Sequence, residues 1–142
     1  MFSRSAGYAV QALAYLATQS SGRLTGAREI AAATRIPKPF LWKILRNLSR
    51  KRLVRSFKGV RGGYELARSA ELITIKQVLE AAHDRKALSD CVLGLGPCQE
   101  RHPCVLHDAW VEQREHMDTL FEKTTLLELA RSHQPAKRKK QA

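Results

Sequence analysis

The chain has 142 residues and a hydrophobic content of 44%, enough for one domain or a small domain with an appended element, and too apolar for global disorder. Lys and Arg number 25 against 13 Asp and Glu, a net charge of +12, and the three cysteines are too few and odd in number for a disulfide scaffold. Sparse cysteine fits a reducing cytoplasm. The apolar stretch Tyr8–Ala17 is broken by Gln11 and followed by no small-x-small cleavage site, so no signal peptide is expected. No run approaches the roughly 18 apolar residues of a membrane span.

The distribution of charge says more than its sum. Residues 1–69 carry 14 Lys/Arg with only Glu29 and Glu65 as acids, whereas residues 70–142 carry 11 of each sign. Between Glu29 and Glu65 stand ten basic residues and no acid. A solvated surface usually mixes both signs. A one-sign stretch on structured elements points to a polyanion partner.

Ala6, Ala9, Val10, Leu13, Ala14 and Ala17 recur at helical spacing and predict a first helix over 5–18, stopped by Ser20-Ser21-Gly22. A short second helix is expected from Ala27 to Thr34. Pro37 and Pro39 open a third, since proline suits a first turn where its missing N–H costs nothing. Leu41, Ile44, Leu45 and Leu48 form the stripe of that helix to about Lys51, with Lys43, Arg46, Asn47 and Arg50 on the other face. Strands Leu53–Phe57 and Tyr64–Ala67 flank a glycine-rich basic turn over 58–63. Three helices and a β-hairpin make the order of a winged helix-turn-helix, whose third helix enters the major groove while the wing follows the backbone or the minor groove.

Thr74-x-x-Gln77 reads as a capping box opening a fourth helix to about Ala82, and Thr125-x-x-Glu128 as another opening a last short one. Between them lie a cysteine loop and a long helix predicted over Pro103–Glu122, with Leu106, Trp110, Met117, Leu120 and Phe121 as its apolar side. Lys137-Arg138-Lys139-Lys140 lies in a tail expected to be disordered. The fold class is thus mainly α with a small β-hairpin. The expected divisions are a winged helix-turn-helix at 1–83, a cysteine loop at 84–104, the long and terminal helices at 105–132, and a basic tail at 133–142.

On the basic half, Lys38, Lys43, Arg46 and Arg50 are the expected contacts to phosphates or guanine edges. Arg61, with Lys58 and Gly62 in the wing turn, is the expected minor-groove probe. Trp42 either faces the bases or packs under the helix as core. Duplex DNA is the favoured polyanion, against a merely solvated face or an RNA-binding patch.

Cys91, Cys98 and Cys104 follow the pattern C-x6-C-x5-C-x2-H with His107, in a loop that also holds Gly94, Gly96, Pro97 and Pro103. Soft thiolates and an imidazole on such a loop suit a metal or an iron–sulfur cluster. Zinc commonly takes a Cys3His set, although usually from closer cysteine pairs. The spacing leaves cluster and zinc open. His83, His102, His116 and His133 read as surface or packing residues. A Cys104/His107 nucleophile pair lacks an orienting group and an oxyanion signal, so no enzyme is expected.

Gly7-Tyr8-Ala9-Val10 with Ala12-Leu13, Phe40-Leu41 with Leu45, Leu48 and Leu53-Val54, the Gly62-Gly63-Tyr64-Glu65-Leu66 wing, the cysteine trio and Cys104-x-x-His107-x-x-Trp110 together resemble the IscR/NsrR-type family of bacterial winged-helix regulators, over about residues 1–130. The resemblance implies a homodimer with the long helices crossing, which makes Leu106, Trp110, Met117, Leu120 and Phe121 the expected dimerisation residues. It also implies a cluster-bearing loop that senses iron–sulfur supply, redox state or nitric oxide and represses or activates genes. By that resemblance Cys91, Cys98 and Cys104 are cluster ligands. His107 stands where the IscR branch completes a two-iron cluster, while Gly7 stands where NsrR-like members use a partner-subunit aspartate for a four-iron one. A [2Fe-2S] cluster is therefore favoured over [4Fe-4S]. Trp42 replaces the glutamate that IscR-like proteins use to discriminate sites, so the target sequence does not carry over. The resulting expectation is a cluster-controlled DNA-binding regulator on a palindromic operator. The alternatives are a zinc-stabilised RNA- or ribosome-associated protein and a cluster-free thiol-switch repressor.

Overall fold

The elements of this computed structural model, which describes residues 2–83 and 89–133, follow the expected order. They are α1 (Arg4–Ala17), α2 (Ala27–Thr34), α3 (Lys38–Arg50), β1 (Val54–Phe57), β2 (Gly63–Leu66), a 3-10 turn (Ala70–Leu72), α4 (Ile75–Ala81), α5 (His107–Lys123) and α6 (Leu126–Ser132). The tail expected at 133–142 lies outside the described residues except for His133, as do residues 84–88 at the start of the cysteine loop.

Ser3 caps α1, its hydroxyl accepting the Ala6 N–H at 3.2 Å. Ala6, Ala9, Ala12, Leu13, Ala14 and Leu16 of this helix are all buried. Alanine at most of those positions lets neighbouring helices approach closely, and α2, α3, α4 and α6 all pack on α1. The stripe of α3 enters the same core as predicted, through Leu41, Ile44, Leu45 and Leu48. Helix α3 ends with Arg52 in the left-handed conformation (φ 57°), where the Arg52 N–H bonds the Ser49 carbonyl and the Leu53 N–H the Leu48 carbonyl. That is the Schellman arrangement, built here without its usual glycine.

The hairpin is antiparallel with Val54 opposite Leu66 and Phe57 opposite Gly63. Each strand is offset by a residue from its predicted span, leaving Leu53 and Ala67 outside. Thr25 adds a one-residue bridge to the hairpin, exchanging both backbone bonds with Tyr64 at 2.9 Å.

Both predicted capping boxes form. They also sit side by side. The Ile75 N–H bonds the Thr124 carbonyl at 3.0 Å and the Leu126 N–H bonds the Ile73 carbonyl at 2.8 Å, so the starts of α4 and α6 are held by a backbone bridge. The terminal helix, grouped by sequence with the long helix, contributes Leu126 and Ala130 to the core built on α1. A second small cluster of Ala6, Ile75 and Leu79 receives Phe121 of α5, whose ring meets Phe2 edge-on at 5.4 Å. Helix α5 itself has no buried residue. It starts at His107, four residues after the predicted Pro103, because Cys104–Leu106 turns, with the His107 N–H on the Cys104 carbonyl.

Leu126→Ala should cost about 2–5 kcal/mol of global stability in denaturant unfolding, against about 1 kcal/mol for Thr125→Ala, because the first opens the shared core and the second removes only a cap. The backbone N–H of Thr125, and then its hydroxyl, hold the Glu128 carboxyl below its ordinary range. A depressed carboxylate stabilises fully above its unfolded value and loses that contribution as pH falls through the lower folded value. Melting curves should therefore fall more steeply below about pH 4 in the native chain than in Glu128→Gln.

Candidate nucleic-acid interface and thiol centre

Burying Leu41, Ile44, Leu45 and Leu48 forces the opposite arc of α3 outward, and Lys38, Trp42, Lys43, Arg46 and Arg50 are all exposed there. Trp42 is 61% exposed, which removes the reading of it as core. Lys58 and Arg61 are exposed on the wing turn. Gly62 is required by close approach, since a Cβ there would run into the Phe57 carbonyl oxygen. Of the ten basic residues between Glu29 and Glu65, only Arg55 is ion-paired among the described residues, with Glu65 across the hairpin at 3.2 Å. The rest form a surface of uncompensated cations spanning α3 and the wing, the arrangement that binds a polyanion by displacing its counterions.

The cysteine segment is a tight hairpin. Asp90 bridges Pro97, the Cys91 N–H bonds the Gly96 carbonyl at 2.9 Å, and the Gly94 N–H bonds the Cys91 carbonyl at 2.9 Å. Positive φ at Gly94 (73°) and Gly96 (102°) turns the chain there. The backbone N–H groups of Leu93 and Leu95 point at the Cys91 sulfur and hold its thiol below the usual range; burial opposes them, and Cys104 and the Gly94 N–H add to them.

Cys98, at the end of the hairpin, lies 3.3 Å from Nδ1 of His107, the first residue of α5. Cys91, Cys98, Cys104 and His107 thus line one cavity of about 220 Å³. His102, read from sequence as a surface or packing residue, is exposed and lines it too. Among the described residues no three such side chains close on a single point as they would around one ion. Three thiols and an imidazole ringing a wider space could hold a polynuclear centre.

Trp110, one turn into α5, donates its indole N–H to the carbonyl of Asp90 at 3.0 Å, tying the strand that carries Cys91 to the helix that starts with His107. Its partner is a backbone carbonyl, which no side-chain pattern reveals. Farther along, Lys76 of α4 pairs with Asp118 at 2.7 Å and with Glu122 at 4.0 Å. Both carboxylates raise the lysine above its ordinary value, the hydrogen bond it donates to Asp118 contributing most. Of the expected dimerisation residues, Leu106 and Leu120 are exposed, Leu106 as the residue just before α5. Trp110, Met117 and Phe121 are half-buried within the chain. No helix among the described residues is long and apolar enough to cross a membrane.

Comparison with known proteins places these features in a family. A model described as "Rrf2: Iron-dependent Transcriptional regulator" matches residues 2–132. A protein of Aquifex aeolicus named as an HTH-type transcriptional regulator is 38% identical over 131 residues, covering 91% of this chain and 90% of the relative. One of Mycobacterium tuberculosis with the same kind of name is 43% identical over 129 residues, covering 90% and 80%. The NsrR regulator of Bacillus licheniformis is 31% identical over 99 residues, covering 70% and 66%. Among solved structures, CymR, the global cysteine regulator of B. subtilis, superposes with a TM-score of 0.78 at 21% identity, covering 94% of this chain and 98% of that one. IscR of T. potens superposes at 0.74, also at 21% identity, covering 96% and 90%. Their low identity carries the fold alone. The family match runs over nearly the whole chain, and the protein belongs to the Rrf2 family of DNA-binding transcriptional regulators, which are not enzymes.

Proposed function

We propose that this regulator acts as a homodimer whose affinity for a palindromic duplex operator is set by an iron–sulfur cluster held by Cys91, Cys98, Cys104 and His107. The observation that carries this reading is the convergence of those four side chains on one cavity, from a hairpin on one side and the first turn of α5 on the other. The donor set fits such a cluster: thiolates are its ordinary ligands and an imidazole can replace one. His107 beside Cys98 supports a [2Fe-2S] centre over [4Fe-4S]. Amide N–H groups aimed at the Cys91 sulfur suit a ligand thiolate, since hydrogen bonds to sulfur tune such centres. When bound, the cluster would supply one-electron chemistry and reactivity toward oxygen or nitric oxide.

The chain's own residues supply the coupling. With the four donors drawn together, the hairpin and the start of α5 are held as one unit; with the donors free, the Trp110–Asp90 bond still links them. Helix α5 is tied to α4 by Lys76–Asp118 and to the N-terminus by Phe121 on Phe2. A tilt of α5 therefore moves the winged domain with it. Leu120, exposed on a helix with no fully buried residue, and Leu106, exposed just before it, support pairing with a second copy. Two recognition helices must match the spacing of two half-sites, so a small change in that geometry alters affinity strongly.

Anaerobic reconstitution should give a coloured protein carrying iron and sulfide. Ala at Cys91, Cys98 or Cys104 should abolish the visible absorbance, and His107→Ala should leave it weaker or labile. Zinc at one per chain with no iron would instead establish the structural-metal alternative, and a metal-free protein whose DNA binding responds to thiol oxidation would establish the thiol switch.

On a mixed-sequence duplex, affinity should fall steeply with salt, and Arg46→Ala and Arg61→Ala should each lower the slope of log K against log salt by about 1. Unchanged binding by both variants at moderate salt would refute the assignment of α3 and the wing as the DNA surface. Tighter binding to structured RNA than to duplex would favour the RNA-associated alternative.

A further inference from the structure

We infer that Trp42 is a sequence-reading residue that selects thymine, through contact of its indole with the 5-methyl group in the major groove. The inference rests on the DNA-binding reading of α3 and names the base edge that this surface recognises.

Trp42 is 61% exposed and makes no hydrogen bond among the described residues. A large ring left in water forfeits its burial and is free to gain it against a partner. The neighbours on its face narrow the choice of partner. Lys38 and Arg46 stand four residues to either side and Lys43 is adjacent, all exposed. A protein docking patch would surround the ring with other apolar groups. The other exposed aromatic of α3, Phe40, is two residues away and so roughly 200° around the helix. There it lies against Tyr8 of α1 at 6.2 Å, away from Trp42. A single apolar ring framed by cations calls for an apolar group embedded in a polyanion. The thymine methyl, exposed on the floor of the major groove between two phosphate backbones, is that group.

Chemistry sharpens the choice. Indole carries one donor and no acceptor. In the major groove cytosine presents only an amino donor, adenine an amino donor beside its N7 acceptor, and guanine acceptors with no apolar group; thymine alone joins an acceptor, O4, to an apolar methyl. Position agrees, because residues in the N-terminal part of a recognition helix approach the base edges, and Trp42 is the fifth residue of α3.

The test selects duplexes from a randomised library with the full-length native chain, Trp42→Ala and Trp42→Phe, then replaces selected thymines one at a time by deoxyuridine, which removes only the methyl group. The native chain should select at least one thymine whose replacement weakens binding about fourfold, the effect of burying one methyl group. Trp42→Ala should lose the preference at that position and bind the thymine and uracil duplexes alike. It should keep the native salt slope, since no charge has changed. Trp42→Phe should retain part of the preference. The inference is overturned if Trp42→Ala selects the same thymine, or if no uracil substitution weakens the native chain. It is also overturned if Trp42→Ala lowers the melting temperature, which would make the ring a packing residue. A native chain that selects no duplex either before or after reconstitution of its thiol centre removes the DNA-surface reading, and this inference with it.

Discussion

The close packing around α1 is the constraint on which the rest of the molecule depends. Its buried alanines at 6, 9, 12 and 14 leave room for α2, α3, α4 and α6 to lie against it. A larger side chain at any of these would push a helix outward, since such interiors hold no spare volume. Once α3 is held by Leu41, Ile44, Leu45 and Leu48, its cations have only one direction to face. The cationic surface is thus a consequence of core packing. The same core excludes the cysteine hairpin, where Val92, Leu93 and Leu95 remain exposed and the thiols stay within reach of solvent and metal.

What was legible in the sequence was what is local. The stripe of α3 and the two capping boxes are written in i, i+3 and i+4 spacings, and each forms as read. The phase of that stripe already separates Trp42 from the buried arc; the open question about it came from its size. Other features were not legible because their partners are distant in sequence. Thr25 joins the hairpin through Tyr64, Leu126 returns to the core of α1, and Trp110 bonds a carbonyl beyond the cysteine loop. Arg52 occupies a left-handed position that sequence rules assign to glycine. The start of α5 was misplaced for a different reason. Pro103 is a good first helical residue, but a helix from there would carry Cys104 and His107 on successive turns of one rigid rod. The observed turn places Cys104 on the loop side and His107 on the helix side of one cavity.

The paired caps give α5 an unusual attachment. Its C-terminal end runs into Thr124 and Thr125, which are bridged to Ile73 and Thr74 at the start of α4. One turn back, Asp118 and Glu122 reach Lys76 of the same short helix. An ion pair this exposed adds little stability by itself. Its position matters more, since it fixes the rotation of α5 about an end already held by backbone bonds. The other end of α5 carries His107 and meets the cysteine hairpin through Trp110 and Cys98. A helix clamped to the core at one end responds to whatever happens at the other.

Magnitudes decide how the two halves could communicate. The basic excess lies in residues 1–69, and no cation of the α3 or wing surface lines the thiol cavity. Between exposed charges, salt at physiological strength screens interactions beyond about 8 Å. A gain or loss of charge at the thiols acts on phosphate binding directly only within that range. Mechanical coupling has no such limit, because packed helices transmit displacement without attenuation by salt. The route runs from the Asp90 carbonyl through Trp110 into α5, and from α5 through Lys76 and the bridged caps into α4, which packs on both α1 and α3. Every link in it is a hydrogen bond, an ion pair or a packed contact between elements. Salt should thus weaken DNA binding overall while leaving the ratio between the two states of the thiol centre nearly unchanged, the signature that separates a mechanical relay from an electrostatic one.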